Sequence, residues 1–199
     1  MSIPKNLPKG WLTDEAILYL QKLIGMVADL DGDLLEVGSY YGRSSIVIGT
    51  EAKKLKQKLY CIDTWNTDVW ADIAKGLPAN RKKYIWEGEK GIFEAFKANI
   101  RQAKLATVVK PIVGATQTAI KGWDKPLRFV FVDGCHYYNF VRSDAKWREH
   151  IVNGGIIAFH DYGNGAWTDV KRAVCDEMDN DKQFELVGLV HTTKAFRKE

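Results

Sequence analysis

The sequence predicts an α/β fold: a doubly wound, Rossmann-like sheet of about seven mostly parallel strands. Short apolar runs alternate with amphipathic segments along the chain, which is the pattern of βαβ units. Two of these runs, at 129–133 and 156–160, end abruptly in ionisable residues, as strands do at the ligand-binding carboxyl edge of such a sheet. The last two runs, at 184–190 and 192–197, lie too close together for a parallel crossover, so we expect an antiparallel C-terminal strand.

Each element follows from a local pattern. The first helix begins after Thr13, a typical N-cap residue that is followed by two acids, and its apolar residues recur at helical spacing. The other predicted strands span 34–38, 59–63 and 107–113. Three further helices are predicted at 91–103, 139–152 and 166–178. Another helix is predicted to begin near 42–45, and a short one to follow Gly114.

The composition is that of one globular domain spanning 1–199, with an N-terminal helical segment at 1–30. Of the 199 residues, 46% are hydrophobic and 27% are charged, which is ordinary for a globular protein. The net charge of +4 is too small to indicate a nucleic-acid partner, and no apolar run is long enough to span a membrane. The N-terminus lacks the apolar stretch of a signal peptide, and the three cysteines form no CxxC pair, so we expect a reducing, cytoplasmic location.

The segment 65–90 does not fit the strand and helix alternation. It carries Trp65, Trp70, Tyr84 and Trp86 among polar residues. A long irregular segment at the ligand edge of a sheet is commonly a lid or a substrate-binding loop. The other interpretation is an insertion whose tryptophans pack onto the core, and the sequence does not decide between the two.

A glycine-containing turn follows the first predicted strand. The stretch E-V-G-S-Y-Y-G, from Glu36 to Gly42, is not the dinucleotide fingerprint G-x-G-x-x-G. Its glycines still allow a tight turn, and the following helix N-terminus would favour a carboxylate or a phosphate. Glu36 lies inside an apolar strand and needs a partner when buried. We expect that partner to be a ligand's ammonium group, the backbone or a buried arginine.

Asp63 ends the second predicted strand, roughly 25 residues beyond Gly38, the spacing of an acid that binds ribose hydroxyls. Taken alone, it could equally be a helix cap or a turn residue. Its combination with the glycine turn favours ribose binding.

Acids and histidines follow the two strands that end in ionisable residues. A D-G-C-H-Y run begins at Asp133 and an H-D-Y run begins at His160. His136 has an ordinary pKa near neutral pH and could accept a proton, although a helix cap is its other interpretation. Asp144 follows at helical spacing and is expected to face inward and to orient a neighbour.

These motifs, in this order, resemble those of class I S-adenosylmethionine-dependent methyltransferases. The set is E-x-G-x-x-x-G-x-S, I-D-T-W, D-G-x-H-x-Y and G-G-x-I-x-x-H-D-Y, and it covers about 34–163. More narrowly, the chain resembles the methyltransferase domain 24 family. That family includes macrocin-type sugar O-methyltransferases and relatives of the methyltransferase component of cephalosporin hydroxylase.

The resemblance implies a role for each matching residue in binding S-adenosylmethionine. Asp63 would hold the ribose, with Thr64 and Trp65 close by, and Ala115 and Thr116 would neighbour the adenine. The residues that would line the methionine part of the cofactor are Glu36, Gly38, Ser39, Gly42 and Ser44.

The resemblance also implies a metal site and a catalytic site. In the macrocin-type relatives, the positions that match Asp133, His160 and Asp161 bind a divalent metal, and the last two are usually both acids. Mg²⁺ prefers oxygen ligands, whereas a histidine also suits Mn²⁺ or Fe²⁺. A bound metal would lower the pKa of an acceptor hydroxyl. His136 would then take the proton, with Asp133 near the reacting methyl group.

Three functions are compatible with the sequence. The first is O-methylation of a small hydroxylated molecule, such as a sugar, a polyol or a catechol-like compound, with divalent-metal assistance. The second is an NAD-dependent oxidoreductase, against which the interrupted glycine pattern argues. The third is a non-catalytic cofactor-binding subunit of a two-component enzyme. The N-terminal helix and the 65–90 segment are candidate surfaces for a homo-oligomer.

Overall fold

The computed structural model describes residues 2–66 and 91–199. Within these residues, one seven-stranded sheet has the strand order β3-β2-β1-β4-β5-β7-β6. Residues 67–90, with Trp70, Tyr84 and Trp86 of the predicted lid, lie outside the described residues, so the lid stays a prediction. The strands are β1 (Asp33–Val37), β2 (Leu59–Asp63), β3 (Val109–Val113), β4 (Leu127–Val132), β5 (Ile151–Phe159), β6 (Phe184–Val190) and β7 (Thr193–Lys198).

Helices cover both faces of this sheet. Because side chains alternate along β1, Leu34 joins the apolar cluster on one face and Leu35 the cluster on the other. None of the helices in 2–66 and 91–199 is long and apolar enough to cross a membrane. The α-helices are α1 (Asp14–Met26), α2 (Arg43–Lys54), α3 (Ile92–Gln102), α4 (Thr116–Ala119), α5 (Tyr138–Asp144) and α6 (Thr168–Val174).

The strand directions confirm the predicted fold class. The central strand β1 pairs in parallel with β2 and β4, and the outer pairs β2–β3 and β4–β5 are also parallel. Strand β7 is antiparallel to both β5 and β6, as the short connection through His191 predicted. The carboxyl ends of β1, β2, β4 and β5 therefore meet at one edge, beside the point where the strand order reverses.

The predicted helix over 139–152 is wrong in its second half. Helix α5 ends at Asp144, a 3₁₀ turn covers Ala145–His150, and β5 begins at Ile151 instead of 156. Ile151 pairs with Leu127, and the register then shifts near Gly154, which has a φ of 81°. The β-branched Ile151 and the irregularity near Gly154 thus extend β5 backward into a stretch whose apolar spacing had suggested a helix.

Candidate active site

A cleft of about 460 Å³ lies at the carboxyl edge of the sheet. Its walls come from the connections that follow β1 to β5 and from residues 9–12. Glu36 and Gly42 are not among the residues that line it. The predicted site residues that do line it are Gly38, Ser39, Ser44, Asp63, Thr64, Trp65, Ala115, Thr116, Asp133, His136, His160 and Asp161.

Glu36 is buried below the glycine turn and bonds to one of its residues, Ser39. Its side chain is fully buried, and its Oε2 accepts hydrogen bonds from the hydroxyls of Ser39 and Ser45 and from the Cys61 thiol. Burial raises the pKa of Glu36, although these bonds oppose the shift. Among the residues that the structure describes, these partners are neither backbone groups nor an arginine, and Ser39 links Glu36 to the cleft.

Two glycines are required by close approaches within this site. Gly38 has a φ of 86°, and a Cβ there would lie 2.2 Å from the Asp133 carbonyl oxygen. Gly42 has a φ of 88° as the N-cap of α2, and a Cβ there would lie 3.1 Å from the Phe96 ring. Only glycine adopts such a backbone without strain. The turn after β1 can therefore lie directly against the turn after β4.

Asp63 joins the end of β2 to the turn after β1. Its Oδ2 accepts hydrogen bonds from the backbone N–H groups of Ser39 and Tyr40, both at 2.8 Å. Its Oδ1 accepts a third from the Trp65 N–H at 2.8 Å, and the Trp65 indole donates to the Tyr40 carbonyl. Asp63 therefore has the turn role that the sequence left open, and its side chain also lines the cleft.

Two acids and two histidines meet beside this turn, and we call Asp133, His136, His160 and Asp161 the acid–histidine cluster. Asp133 Oδ1 lies 3.1 Å from His160 Nδ1 and 3.7 Å from His136 Nε2. Asp161 Oδ2 lies 2.8 Å from His136 Nε2, but out of line with the ring N–H, so this contact is an ion pair and not a hydrogen bond. The distance from Asp161 Oδ2 to His160 Nδ1 is 3.7 Å. Strands β4 and β5 thus bring the four side chains together, as their sequence positions predicted.

The cluster perturbs the pKa values of its members. Burial alone would lower the pKa of His136, but Asp133 and Asp161 outweigh it and raise that pKa to about 9. Burial would raise the pKa of Asp133, yet the neighbouring His160 and His136 hold it well below its usual range. His136 therefore lacks the near-neutral pKa assumed from the sequence. Asp133 and Asp161 therefore favour the imidazolium form of His136.

The cluster also has the spacing of a metal site. Asp133, His160 and Asp161 each offer one ligand atom, and these atoms all lie within 4.8 Å of one another. Ligands about 2.0–2.2 Å from one ion are separated by at most about 4.4 Å, so a small adjustment suffices. His160 Nε2 lies 3.5 Å from the Thr192 hydroxyl. A proton on Nε2 would leave Nδ1 free to bind a metal.

Asp144 lies behind the cluster, facing inward as its helical spacing predicted. Its side chain is 2% exposed. Burial raises its pKa to about 8, while the Thr116 hydroxyl and the charge of His136 oppose the shift. The Trp147 indole donates to the same hydroxyl at 2.7 Å. These contacts connect the start of α4 with the end of α5.

The Asp144→Asn variant is expected to lose part of the pH dependence of stability. The pKa of Asp144 is about 8 in the folded protein against an ordinary 3.8, so the folded state keeps a proton that the unfolded state has released. The free energy of unfolding then falls as pH rises from about 4 to about 8, by on the order of 5 kcal/mol. Asparagine resembles the protonated acid and does not titrate.

Urea unfolding of both proteins between pH 5 and pH 8.5 checks this prediction. The variant should overtake the wild type in stability toward the alkaline end. Asp124, whose side chain is 84% exposed, provides the control, because Asp124→Asn should leave the pH slope unchanged. Parallel slopes for wild type and Asp144→Asn would show that Asp144 is ionised in the folded protein.

Two parts of the cleft wall were not predicted from the sequence. One is residues 9–12, which precede α1 and carry Trp11. The other is Asn164 and Trp167, before α6, where the Trp167 ring stacks on His136 at 4.8 Å between centroids and 20° between planes. Neither carries a motif, and both tryptophans are positioned by rings distant in sequence, Trp11 by Tyr40 and Trp167 by His136.

The fold and the cleft define the class of protein. A sheet in the order 3-2-1-4-5-7-6 with β7 antiparallel, a glycine turn after β1 and an acid at the end of β2 are the architecture of class I methyltransferases. The model of the family described as "Methyltransferase domain" matches residues 35–162. The chain belongs to this family, which confirms the resemblance inferred from the motifs and the prediction of a methyltransferase enzyme.

Solved structures with low sequence identity share the fold. The O-methyltransferase NovP is 16% identical, with a TM-score of 0.74 over 96% of this chain and 84% of its own. An O-methyltransferase from Bacillus cereus, in complex with S-adenosylhomocysteine, is 15% identical, with a TM-score of 0.68 over 97% and 85%. CalS11, a TDP-rhamnose 3'-O-methyltransferase of calicheamicin biosynthesis, is 15% identical, with a TM-score of 0.63 over 94% and 81%.

Proposed function

We propose that this protein binds S-adenosylmethionine and methylates a hydroxyl of a small molecule, with divalent-metal assistance. The observation that carries the proposal is the shared cleft, in which the Gly38 turn and Asp63 lie beside the acid–histidine cluster. The family membership supports methyl as the transferred group. The S-adenosylhomocysteine in the Bacillus cereus structure supports S-adenosylmethionine as the cofactor. A cytoplasmic location, with neither nucleic acid nor membrane as a partner, belongs to the same proposal.

The cofactor would lie across the carboxyl ends of β1, β2 and β3. The methionine part would follow Gly38 and Ser39, where the glycine permits close approach to the backbone. The ribose hydroxyls would meet Asp63, and the adenine would lie near Ala115 and Thr116. This arrangement would direct the sulfonium end of the cofactor toward Asp133.

Methyl transfer from a sulfonium requires an acceptor oxygen in line with the breaking bond. The oxygen attacks the methyl carbon, the carbon–sulfur electron pair returns to sulfur, and the hydroxyl proton leaves. The cleft mainly supplies the position of the reactants. Asp133, His160 and Asp161 would hold a divalent metal, which when bound would lower the pKa of the acceptor hydroxyl.

His136 is the candidate for the proton acceptor, because its Nε2 lies within the acid–histidine cluster. The same carboxylates that raise the pKa of His136 are the proposed metal ligands. A cation held by these carboxylates would offset their charge and lower the pKa of His136, whose Nε2 would then take the acceptor proton.

Calorimetric titration with S-adenosylhomocysteine tests the cofactor, and NAD⁺ serves as the control ligand. We expect a dissociation constant on the order of micromolar for S-adenosylhomocysteine and no heat with NAD⁺. Binding of NAD⁺ alone would overturn the proposal in favour of the oxidoreductase. Transfer of labelled methyl from S-adenosylmethionine to hydroxylated acceptors is the second measurement. A tight cofactor site that transfers methyl to none of them would favour the non-catalytic subunit.

A further inference from the structure

We infer that residues 9–12 and Trp167 enclose the acceptor half of the cleft, and that the acceptor is a flat, aromatic hydroxyl compound. This inference rests on the proposed function and adds to it a substrate class and two walls of the acceptor site. We call residues 9–12 the N-terminal strap. Its Trp11 and the distant Trp167 both line the cleft.

The N-terminal strap is fixed in place by α2. The Arg43 guanidinium donates hydrogen bonds to the carbonyls of Leu12, at 3.0 Å, and Pro8, at 3.1 Å. A Cβ at Gly10 would lie 2.9 Å from Arg43 Cδ, so the strap backbone packs directly on the arginine stem. Leu12 is buried in the core. The strap is therefore held in position before any ligand binds, and this reduces the conformational entropy lost on binding.

Trp11 presents a large apolar surface to this cleft. Its side chain is 62% exposed, although its ring packs on the Tyr40 ring at 5.5 Å between centroids. Covering the apolar surface of an aromatic ring is favourable, so contact with the exposed part of the Trp11 ring would stabilise a bound ligand that has an apolar face.

Both tryptophans lie near the sulfonium end of the proposed cofactor site. Trp11 packs on Tyr40, in the turn that would hold the methionine part of the cofactor. Trp167 stacks on His136, which lies beside Asp133 and Asp161. Because the acceptor oxygen must approach the methyl group in line with sulfur, the acceptor has to lie in this part of the cleft.

Two polar side chains beside these walls, Asn164 and Arg43, are already engaged within the protein, which favours a flat apolar acceptor over a sugar. The Asn164 amide donates to Asp161 Oδ1 at 2.8 Å, and its oxygen accepts from the Ala166 N–H at 3.0 Å. The Arg43 guanidinium donates to the carbonyls of Leu12 and Pro8. A sugar presents hydroxyls around its whole ring and needs several directional partners. A flat ring needs stacking faces, which Trp11 and Trp167 supply.

The test is calorimetric titration of the protein saturated with S-adenosylhomocysteine and Mn²⁺. The flat probe is 2,3-dihydroxynaphthalene, and the non-planar probe is myo-inositol. We expect the flat probe to bind at least about tenfold more tightly. Trp11→Ala should weaken its binding roughly tenfold, and Trp11→Phe should retain most of the affinity. Leu186 on β6, 59% exposed and outside the lining of the cleft, gives the control variant Leu186→Ala, which should bind like wild type.

The outcomes separate this inference from the function on which it rests. S-adenosylhomocysteine affinity in Trp11→Ala should stay within about threefold of wild type, which shows that the variant is folded and that the cofactor half is intact. Three results would overturn the inference of a flat acceptor and leave the proposed function standing. They are equal affinity for the two probes, unchanged flat-probe binding in Trp11→Ala, and binding of neither probe. Failure of the wild type to bind S-adenosylhomocysteine overturns the proposed function and this inference with it.

Discussion

The Asp63→Asn variant is expected to bind S-adenosylhomocysteine at least about 100-fold more weakly than the wild type. The Asp63 carboxylate accepts three backbone hydrogen bonds, two of them from the turn after β1. Asparagine has one acceptor oxygen, and its amide NH₂ would face N–H groups. A hydrogen bond to a charged group contributes about 1.5–3 kcal/mol. The variant therefore loses the fixed turn together with the ribose contact.

The matched control is Asp33→Asn, at the other end of the neighbouring strand. Asp33 Oδ1 also accepts a backbone hydrogen bond, from the Lys58 N–H at 2.9 Å, but it lies at the amino edge of β1, away from the cleft. Calorimetry should give wild-type cofactor affinity for this control, and circular dichroism should show that both variants are folded. A folded Asp63→Asn protein with wild-type affinity would contradict a ribose site at Asp63.

The position of Asp63 could be predicted, whereas its bonding could not. A parallel strand that ends in an acid places that acid at the ligand edge of the sheet whatever the details of the turn. Two of its three N–H partners, those of Ser39 and Tyr40, depend on the backbone path of a turn more than 20 residues away in the chain. The partners of Glu36 were missed for a related reason. Ser45 meets Glu36 only because α2 folds back over β1, and Cys61 meets it only because β2 pairs with β1 in this register.

The N-terminal strap shows a further limit of prediction from sequence. Residues 9–12 have no periodicity and no motif, and they join the site through Arg43, more than 30 residues away. The acid–histidine cluster was predictable because each of its residues directly follows an apolar strand. What the motifs could not indicate was the pKa of His136, which depends on the distances to two carboxylates from different strands.

The variants Asp161→Asn and His136→Gln are expected to separate metal binding from proton transfer. Asp161 is a proposed metal ligand, so its loss should weaken Mn²⁺ binding about 100-fold or more, because a neutral amide is a poorer ligand for a divalent ion. His136 is not one of the three proposed ligands. His136→Gln should keep Mn²⁺ affinity within about tenfold and lower kcat by roughly 10²–10⁴.

Two measurements on each variant distinguish these roles: calorimetric titration with Mn²⁺ in the presence of S-adenosylhomocysteine, and turnover of an acceptor found by methyl-transfer screening. Glu185 on β6 is an acid remote from the cleft, and Glu185→Gln should match the wild type in both. Failure of the wild type to bind Mn²⁺ would contradict the metal site, and the two acids would then have the ring nitrogens of His136 and His160 as their partners. If both variants lost Mn²⁺ binding equally, His136 would be a fourth metal ligand, and the proton of the acceptor would have to leave by another route.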